Sequence, residues 1–420
     1  MTGSPWRQLQ TDVDFRRYFL ARQISSAGSI VTWVALPILV YARTHSALLT
    51  SLVSLFDALP YLLLGLLAGA LADRWDRRRA MVICDCLSAV VAGSVPVAHL
   101  LGVLTTQQLL VVALVLPTLF VLFDASAFGA LPTLVGRDRI ASVNGIVWSV
   151  EAVFEIATPG IAGALLAFID AATLMAVDAI SFVASALLLR AITRALSTRD
   201  ASADLRSADP HAIMADIREG VRWLWGHPGV RLMTAIGTAQ SLGGGAFVGL
   251  LVVWADRRLD VRAGDWRLGA LYATWSIGGL AASLVLPRLL RRVAAPRLTL
   301  LALPFSAALG IATTLAGQWL VAAIFFAGWG VAYTLVVING ISYRQQVTPD
   351  AFMSRVNAAG RMLSFGLGTP LGALLGGALT GSIGIRAALL VCLVPMTAMA
   401  VLGLRSPLRT ASLDPAVNQA

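Results

Sequence analysis

The sequence predicts an all-α membrane protein with twelve transmembrane helices in two six-helix bundles. Three observations carry this expectation. Of 420 residues, 58% are hydrophobic and only 13% charged, against roughly 25% charged in soluble domains. The apolar residues fall into about twelve runs, each near the ~20 residues a helix needs to cross a bilayer. The two halves of the chain also share short phrases in the same order. Such a composition excludes a disordered chain and an ordinary soluble enzyme, because too few polar side chains remain to build a water-facing surface.

Taken in order, the first six runs lie near 18–42, 48–72, 80–103, 107–133, 145–168 and 171–192. A polar stretch with Thr198, Arg199, Asp200, Ser202, Asp204, Arg206 and Asp209-Pro210 follows. Six more runs lie near 230–255, 267–289, 298–316, 319–342, 356–381 and 384–404. The expected organisation is therefore an N-terminal tail (1–17), a first bundle (18–192), a linker (193–229), a second bundle (230–405) and a C-terminal tail (406–420).

Orientation follows from the cations. The net charge is +10 from 32 basic and 22 acidic residues, and every basic residue is Arg. With the N-terminus inside, the outer loops hold only Arg43, Arg257, Arg258, Arg262, Arg267 and Arg386. The rest fall at or near the cytoplasmic face, the asymmetry of the positive-inside rule. Both termini and the linker are thus expected in the cytoplasm, in a bacterial plasma membrane, with no cleaved signal segment. The arginines sit singly or in short clusters between apolar runs, which argues against bound nucleic acid. The loop near 256–267, where Asp256, Asp260 and Asp265 alternate with Arg, reads as a small ordered hairpin or a solvated connection. Cys84 and Cys86 point about 200° apart on a helix and, with Cys392, read as packing residues; no metal or other cofactor is expected.

The internal repeat is seen in three places. Gly65 to Arg78 aligns with Gly279 to Arg292, Ser142-Val143-Asn144-Gly145 with Arg355-Val356-Asn357-Ala358, and Thr158-Pro159 with Thr369-Pro370, at offsets between 211 and 214. Two parallel repeats suit alternating access, in which the halves rock about a central cavity.

The most specific motif is Gly69-x-x-x-Asp73-Arg74-x-x-Arg77-Arg78, between the second and third runs. Gly69 permits close helix approach, and Asp73 lies where it can cap a neighbouring helix and pair with Arg. The plain alternative is a basic loop that only sets topology. This motif resembles the signature loop of the major facilitator superfamily, and the resemblance covers about residues 15–405. It implies that Gly69, Asp73, Arg74, Arg77 and Arg78 form a cytoplasmic latch between the halves, with the helix starting near Arg355 as partner. Ala130 to Val135 followed by Val143-Asn144-Gly145, Asp178 to Phe182, and Arg218 to Leu224 are similar to the enterobactin-exporter and macrolide-efflux branch of bacterial drug exporters. Thr158-Pro159-Gly160-Ile161-Ala162-Gly163 resembles the antiporter motif of drug exporters, with Thr158 where Gly is usual. Pro159, Gly160 and Gly163 then imply a bend that limits leak; the alternative is an ordinary proline kink. The fourth run lacks the Arg that many drug/proton antiporters carry there, so coupling cannot be copied from those relatives.

Six acids fall inside the runs: Asp57, Asp85, Asp124, Glu151, Glu155 and Asp178, all in the first half. An ionisable group in a bilayer is costly and tends to face a cavity. By depth, Asp57, Asp124 and Glu155 are the expected proton- or cation-handling residues, against an alternative of local hydrogen bonding. Asp85 reads as structural, and Asp178 as a capping or packing residue. Trp33, Gln240, Trp329 and Asn339 are candidates for a substrate cavity, with belt or packing roles as the plainer reading.

No nucleophile elbow, zinc-protease motif or phosphate loop stands out, so no enzyme is expected and the energy source should be an ion gradient. The expected activity is secondary export of a lipophilic or amphipathic small molecule (a drug, antibiotic or siderophore), by proton antiport with alternating access, in a chain sufficient as a monomer. An importer, a lipid or metabolite flippase, and a non-transporting membrane sensor remain as rivals.

Overall fold

The computed structural model describes residues 12–136, 140–166, 168–196, 210–262, 265–349, 356 and 359–406; within these, the side chains of 65–67, 69–74, 140–142, 144–146, 148–149, 152, 155–156, 159, 210–217, 404 and Pro132 lie outside the description. Among the described residues there are helices and turns and no strands.

The helices of the first half are α1 (Val13–Thr44), α2 (Ala47–Arg74), α3 (Arg77–Leu100), α4 (Thr106–Val135), α5 (Ile140–Leu165) and α6 (Ala171–Arg190). Helix α7 (Pro210–Gly226) lies within the expected linker. The second half holds α8 (Pro228–Gly249), α9 (Leu251–Leu259), α10 (Trp266–Leu290), α11 (Ala295–Leu315), α12 (Trp319–Val347), a π-helical turn (Met362–Gly368) leading into α13 (Thr369–Ile383), and α14 (Ile385–Leu404).

Among the described residues ten helices are long and apolar enough to cross a membrane, and the bent pair α8 and α9 makes an eleventh span. Helix α5, at 26 residues, is long enough for the twelfth, since 20 residues already span about 30 Å. The chain is a multi-pass membrane protein.

Helix ends follow local chemistry. Asp76 caps α3 by accepting from the Arg79 N–H at 2.8 Å, Asp170 caps α6 by accepting from the Thr173 N–H at 2.9 Å, and His227 Nδ1 accepts from the Val230 N–H at 3.2 Å at the start of α8. Each satisfies a backbone donor that a helix start leaves open. His227-Pro228 thus ends α7 and begins α8 together.

Two features depart from uniform spans. The run expected at 230–255 breaks between Gly249 and Leu251 with a 60° bend. Helix α9 then carries the chain to Leu259, and Asp260 ends it in a left-handed conformation (φ 52°). In the stretch near 256–267, expected as a small hairpin or a solvated connection, 256–259 complete α9 and 266–267 begin α10, with 260–262 and 265 between them outside the helices. The second departure is the π-helical turn before Thr369-Pro370. Pro370 has no N–H and its ring crowds the carbonyl four residues back, at Gly366, and a wider turn relieves that crowding.

By internal contacts the chain forms two compact units, one of Met1–Arg43 with Leu59–Asp209, the other of Thr44–Ala58 with Pro210–Ala420. In the first, Phe15, Tyr18, Met81, Phe123, Leu134, Val147 and Leu189 build a core at the arginine-rich helix ends. In the second, Phe247 packs against Trp254, Phe326 and Trp329, and Trp275 completes the group. Lipid supplies no hydrophobic force between spans, so close packing must hold them. The α8–α13 seam shows how: a Cβ on Gly372 would lie 1.9 Å from the Leu242 carbonyl oxygen, and one on Gly245 2.4 Å from that of Thr369.

Candidate functional site

The strongest concentration of charge inside a described bundle joins α1, α4 and α5. Arg22 Nε donates to Glu151 Oε1 at 2.6 Å, and the Arg22 Nη2 donates to Asp124 Oδ1 at 2.9 Å. The planar guanidinium reaches carboxylates on two helices through two nitrogens held in a fixed fork, a geometry an ammonium does not hold. Arg22 lies nine residues after the start of α1, Asp124 eleven before the end of α4, and Glu151 eleven after the start of α5. At a rise of about 1.5 Å per residue these are depths of roughly 14 to 17 Å, so all three meet at one level.

Neighbouring residues fix the register. One turn from Arg22, the Tyr18 hydroxyl donates to the Ala127 carbonyl at 2.8 Å. The pairs 18/127 and 22/124 run in opposite senses, as antiparallel helices require. Below them Asp14 accepts from the Thr193 hydroxyl at 2.8 Å and the Arg194 N–H at 3.0 Å. The base of α1 is thereby tied to the chain leaving α6.

The triad is one charge out of balance, with two carboxylates facing one guanidinium. Its side chains are unequally open: Asp124 is 35% exposed, whereas Arg22 and Glu151 are each 13% exposed. Asp124 is the most open member of the three.

The remaining expected site residues fall in several places. Arg77 Nη1 donates to the Gly129 carbonyl at 2.7 Å, and Arg78 Nη1 to the Ile192 carbonyl at 2.7 Å. A Cβ on Gly129 would lie 2.7 Å from Arg77 Nε, so the glycine leaves the Arg77 side chain room at this carbonyl. These two arginines bind helix ends of their own unit. The side chains of Gly69, Asp73 and Arg74, and residue Arg355, lie outside the described residues. So do the side chains of Glu155 and Pro159; α5 itself is helical through 158–160 to Leu165, with Gly163 buried. Asp57 is exposed on α2, ten residues from its start.

In the second unit, Gln240 and Trp329 are fully buried. Gln240 Nε2 donates to Ser306 Oγ at 2.8 Å, and Trp329 Nε1 donates to the same oxygen at 3.2 Å. They form a polar knot among α8, α11 and α12. Asn339 is also fully buried, and both of its side-chain polar atoms lack a partner. Trp33 is half exposed on α1. Among the described residues no group of three or more His, Cys, Asp or Glu is arranged to hold a metal ion.

Sequence reasoning missed Arg22 and ranked Glu155 above Glu151. The available signal was Asp14, Tyr18 and Arg22 at four-residue intervals, one face of a helix. Reading the apolar run from residue 18 put Arg22 at its edge; α1 begins at Val13.

Comparison with known proteins adds the family. The profile described as transmembrane secretion effector, a major facilitator group, matches residues 3–419. The chain belongs to that family. Among this transporter's relatives, the multidrug efflux pump Tap of Mycolicibacterium fortuitum is 29% identical over 411 residues, covering 93% of this chain and 94% of the relative. Macrolide efflux protein A of Streptococcus pyogenes is 26% identical over 230 residues, 53% of this chain and 54% of that protein. Solved structures share the fold. The nucleoside transporter NupG aligns with a TM-score of 0.70 at 12% identity, covering 96% of this chain and all of that one. A bacterial homologue of ferroportin, in an inward-facing state, aligns with a TM-score of 0.70 at 15% identity over 97% of this chain.

Proposed function

We propose that this major facilitator protein is an exporter that moves a lipophilic or amphipathic small molecule out of a bacterial cell in exchange for protons. The relatives named as multidrug and macrolide efflux proteins support export of a drug-like compound. The observation that carries proton exchange is the Arg22–Asp124–Glu151 triad, with one surplus carboxylate and its more open member on α4. A proton on Asp124 cancels that surplus, frees the Arg22 Nη2, and leaves the guanidinium paired to Glu151 alone. The α1–α4 seam then loses its deepest charged contact, a discrete change that a rocking bundle can use. A cationic or amphipathic substrate competes for the same surplus charge. Asp57 and Glu155 are retained as further proton-handling groups. Gly69, Asp73, Arg74, Arg77 and Arg78 are retained as the latch, and Pro159, Gly160 and Gly163 as the bend. Arginine-rich helix ends and both termini face the cytoplasm in this reading, the division into bundles at 18–192 and 230–405 is kept, and a monomer suffices.

The test is dye or drug accumulation in everted vesicles with an imposed pH gradient. Accumulation that collapses with the gradient supports antiport. Accumulation indifferent to the gradient overturns the coupling, and net uptake into intact cells overturns the direction.

A further inference from the structure

A cleft of about 460 Å³ opens on the outer surface of the first unit, between the start of α3 and the end of α6. Its lining is Arg78, Arg79, Val82 and Ile83 from α3 and Arg190 from α6. The two helices pack along each other in opposite senses. Near the cleft Arg78 Nη1 donates to the Ile192 carbonyl at 2.7 Å. Fifteen residues further along α3, a Cβ on Gly93 would lie 3.6 Å from the Ala179 Cβ. The seam between them is therefore continuous, and the cleft sits at its arginine-rich end.

Three cations share this space. Arg78 is held by the Ile192 carbonyl, whereas Arg79 and Arg190 are exposed. Among the described residues no carboxylate pairs with any of the three, and Arg79 and Arg190 donate no side-chain hydrogen bond. Asp76 is engaged with the Arg79 backbone N–H. Like charges gathered in one cleft repel, and a shared anion removes that cost. The guanidinium fork matches the oxygens of a phosphate.

The surroundings say what carries that phosphate. Arg79 stands at the end of an exposed apolar stripe on α3, Ile83, Leu87, Val90 and Val97, at helical spacing. Arg190 ends a matching stripe on α6, Ile180, Val183 and Leu187. On membrane spans such wholly apolar stripes face acyl chains, since water against them is unfavourable. From Ile83 to Val97 the α3 stripe runs roughly 21 Å, more than the ~15 Å depth of one leaflet of hydrocarbon. A free phosphate would use the arginines and leave the stripes and the apolar wall of Val82 and Ile83 unexplained. A lipid uses both, and basic pockets between spans are a known setting for anionic headgroups.

We propose that the α3–α6 cleft binds one anionic phospholipid, with its phosphate on Arg78, Arg79 and Arg190 and its acyl chains along the two stripes. The site stands without the export reading; only its assignment to the cytoplasmic leaflet rests on the proposed orientation.

Native mass spectrometry of the full-length chain, purified in detergent and titrated with phosphatidylglycerol or phosphatidylcholine, tests this. One phosphatidylglycerol is expected to stay bound in preference to phosphatidylcholine. Arg79→Gln combined with Arg190→Gln should weaken its retention about tenfold. Arg291→Gln combined with Arg292→Gln, which removes two exposed arginines of the second unit, should leave retention unchanged. Equal retention of the two lipids overturns the proposal, as does equal retention by the wild type and the Arg79/Arg190 variant, or equal loss in both double variants. Displacement of the lipid by an equal concentration of glycerol phosphate overturns it in favour of a free anion. Should the Arg79/Arg190 variant fail to fold, Ile83→Asp decides. That change keeps all three arginines and places a carboxylate in the cleft at an exposed position; retention that does not fall then overturns the site. No transport is measured, so failure here leaves the export reading intact, and loss of export without loss of lipid leaves this site intact.

Discussion

Arg22 and Glu151 meet at 2.6 Å between α1 and α5, with the Arg22 side chain 13% exposed and its Nη2 on Asp124. Removing the cation from such a group leaves carboxylates buried without compensation, at a cost of about 3–5 kcal/mol in well-buried pairs. The partial exposure of Asp124 puts the expected loss for Arg22→Ala at the lower end. A thermal melt in detergent should show it, and Arg22→Lys should recover only part, because a point charge lacks the fork of donors that serves two helices.

Asp124→Asn should separate coupling from movement. The variant keeps a hydrogen-bond acceptor for Arg22 but cannot exchange a proton. Gradient-driven accumulation should fall at least tenfold, while exchange of labelled for unlabelled substrate across the membrane continues. If both fall together, Asp124 acts on substrate binding or on folding, and the coupling role fails.

Gly245→Ala probes the α8–α13 seam. The new methyl would meet the backbone of Thr369 at 2.4 to 2.8 Å, and backbone has no rotamer with which to yield. A destabilisation of about 1–3 kcal/mol is expected, as for overpacking elsewhere, read as a lower melting temperature. Gly381→Ala is the control, since nothing lies within 4 Å of its added carbon.

Ser306→Ala removes the one oxygen that serves both Gln240 and Trp329. Two buried donors lose their acceptor, and each unsatisfied group costs about 1–3 kcal/mol. Loss of stability with an unchanged substrate range is expected if this knot is packing. A changed range at normal stability would return Gln240 and Trp329 to the substrate path.

The turn before α10 should respond to acid. Arg267 bonds to Asp265 through its side chain at 2.6 Å and its N–H at 2.9 Å. These contacts hold the Asp265 carboxyl below its ordinary acidity range. The folded form therefore favours the carboxylate. Its contribution is complete above the ordinary value, near 3.9, and is lost as pH falls through the lower folded value. Hydrogen exchange at the first turn of α10 should accelerate in that acid window, and Asp265→Asn should remove the pH dependence.

The membrane character and the approximate spans were legible because lipid imposes a long apolar run on every crossing, a signal carried by composition and period alone. The acids were equally visible: Asp57, Asp85, Asp124, Glu151, Glu155 and Asp178 stand out against apolar neighbours. Their partners were not. Arg22 is 102 residues from Asp124 and 129 from Glu151, and no local pattern links a cation near the edge of one run to acids inside two others. The same holds for Gln240 and Ser306, 66 residues apart.

The sequence by itself determined that this chain lives in a bilayer, how many times it can cross, and that its charge asymmetry lies in the first half. Only the tertiary structure decided which acids share a cation and which do not. Packing chooses the partners: helix rotation and depth bring Arg22 between α4 and α5, while Asp178 meets the Thr32 hydroxyl. In a medium of low dielectric that choice sets whether a carboxylate is neutralised by an arginine or rests on a hydroxyl.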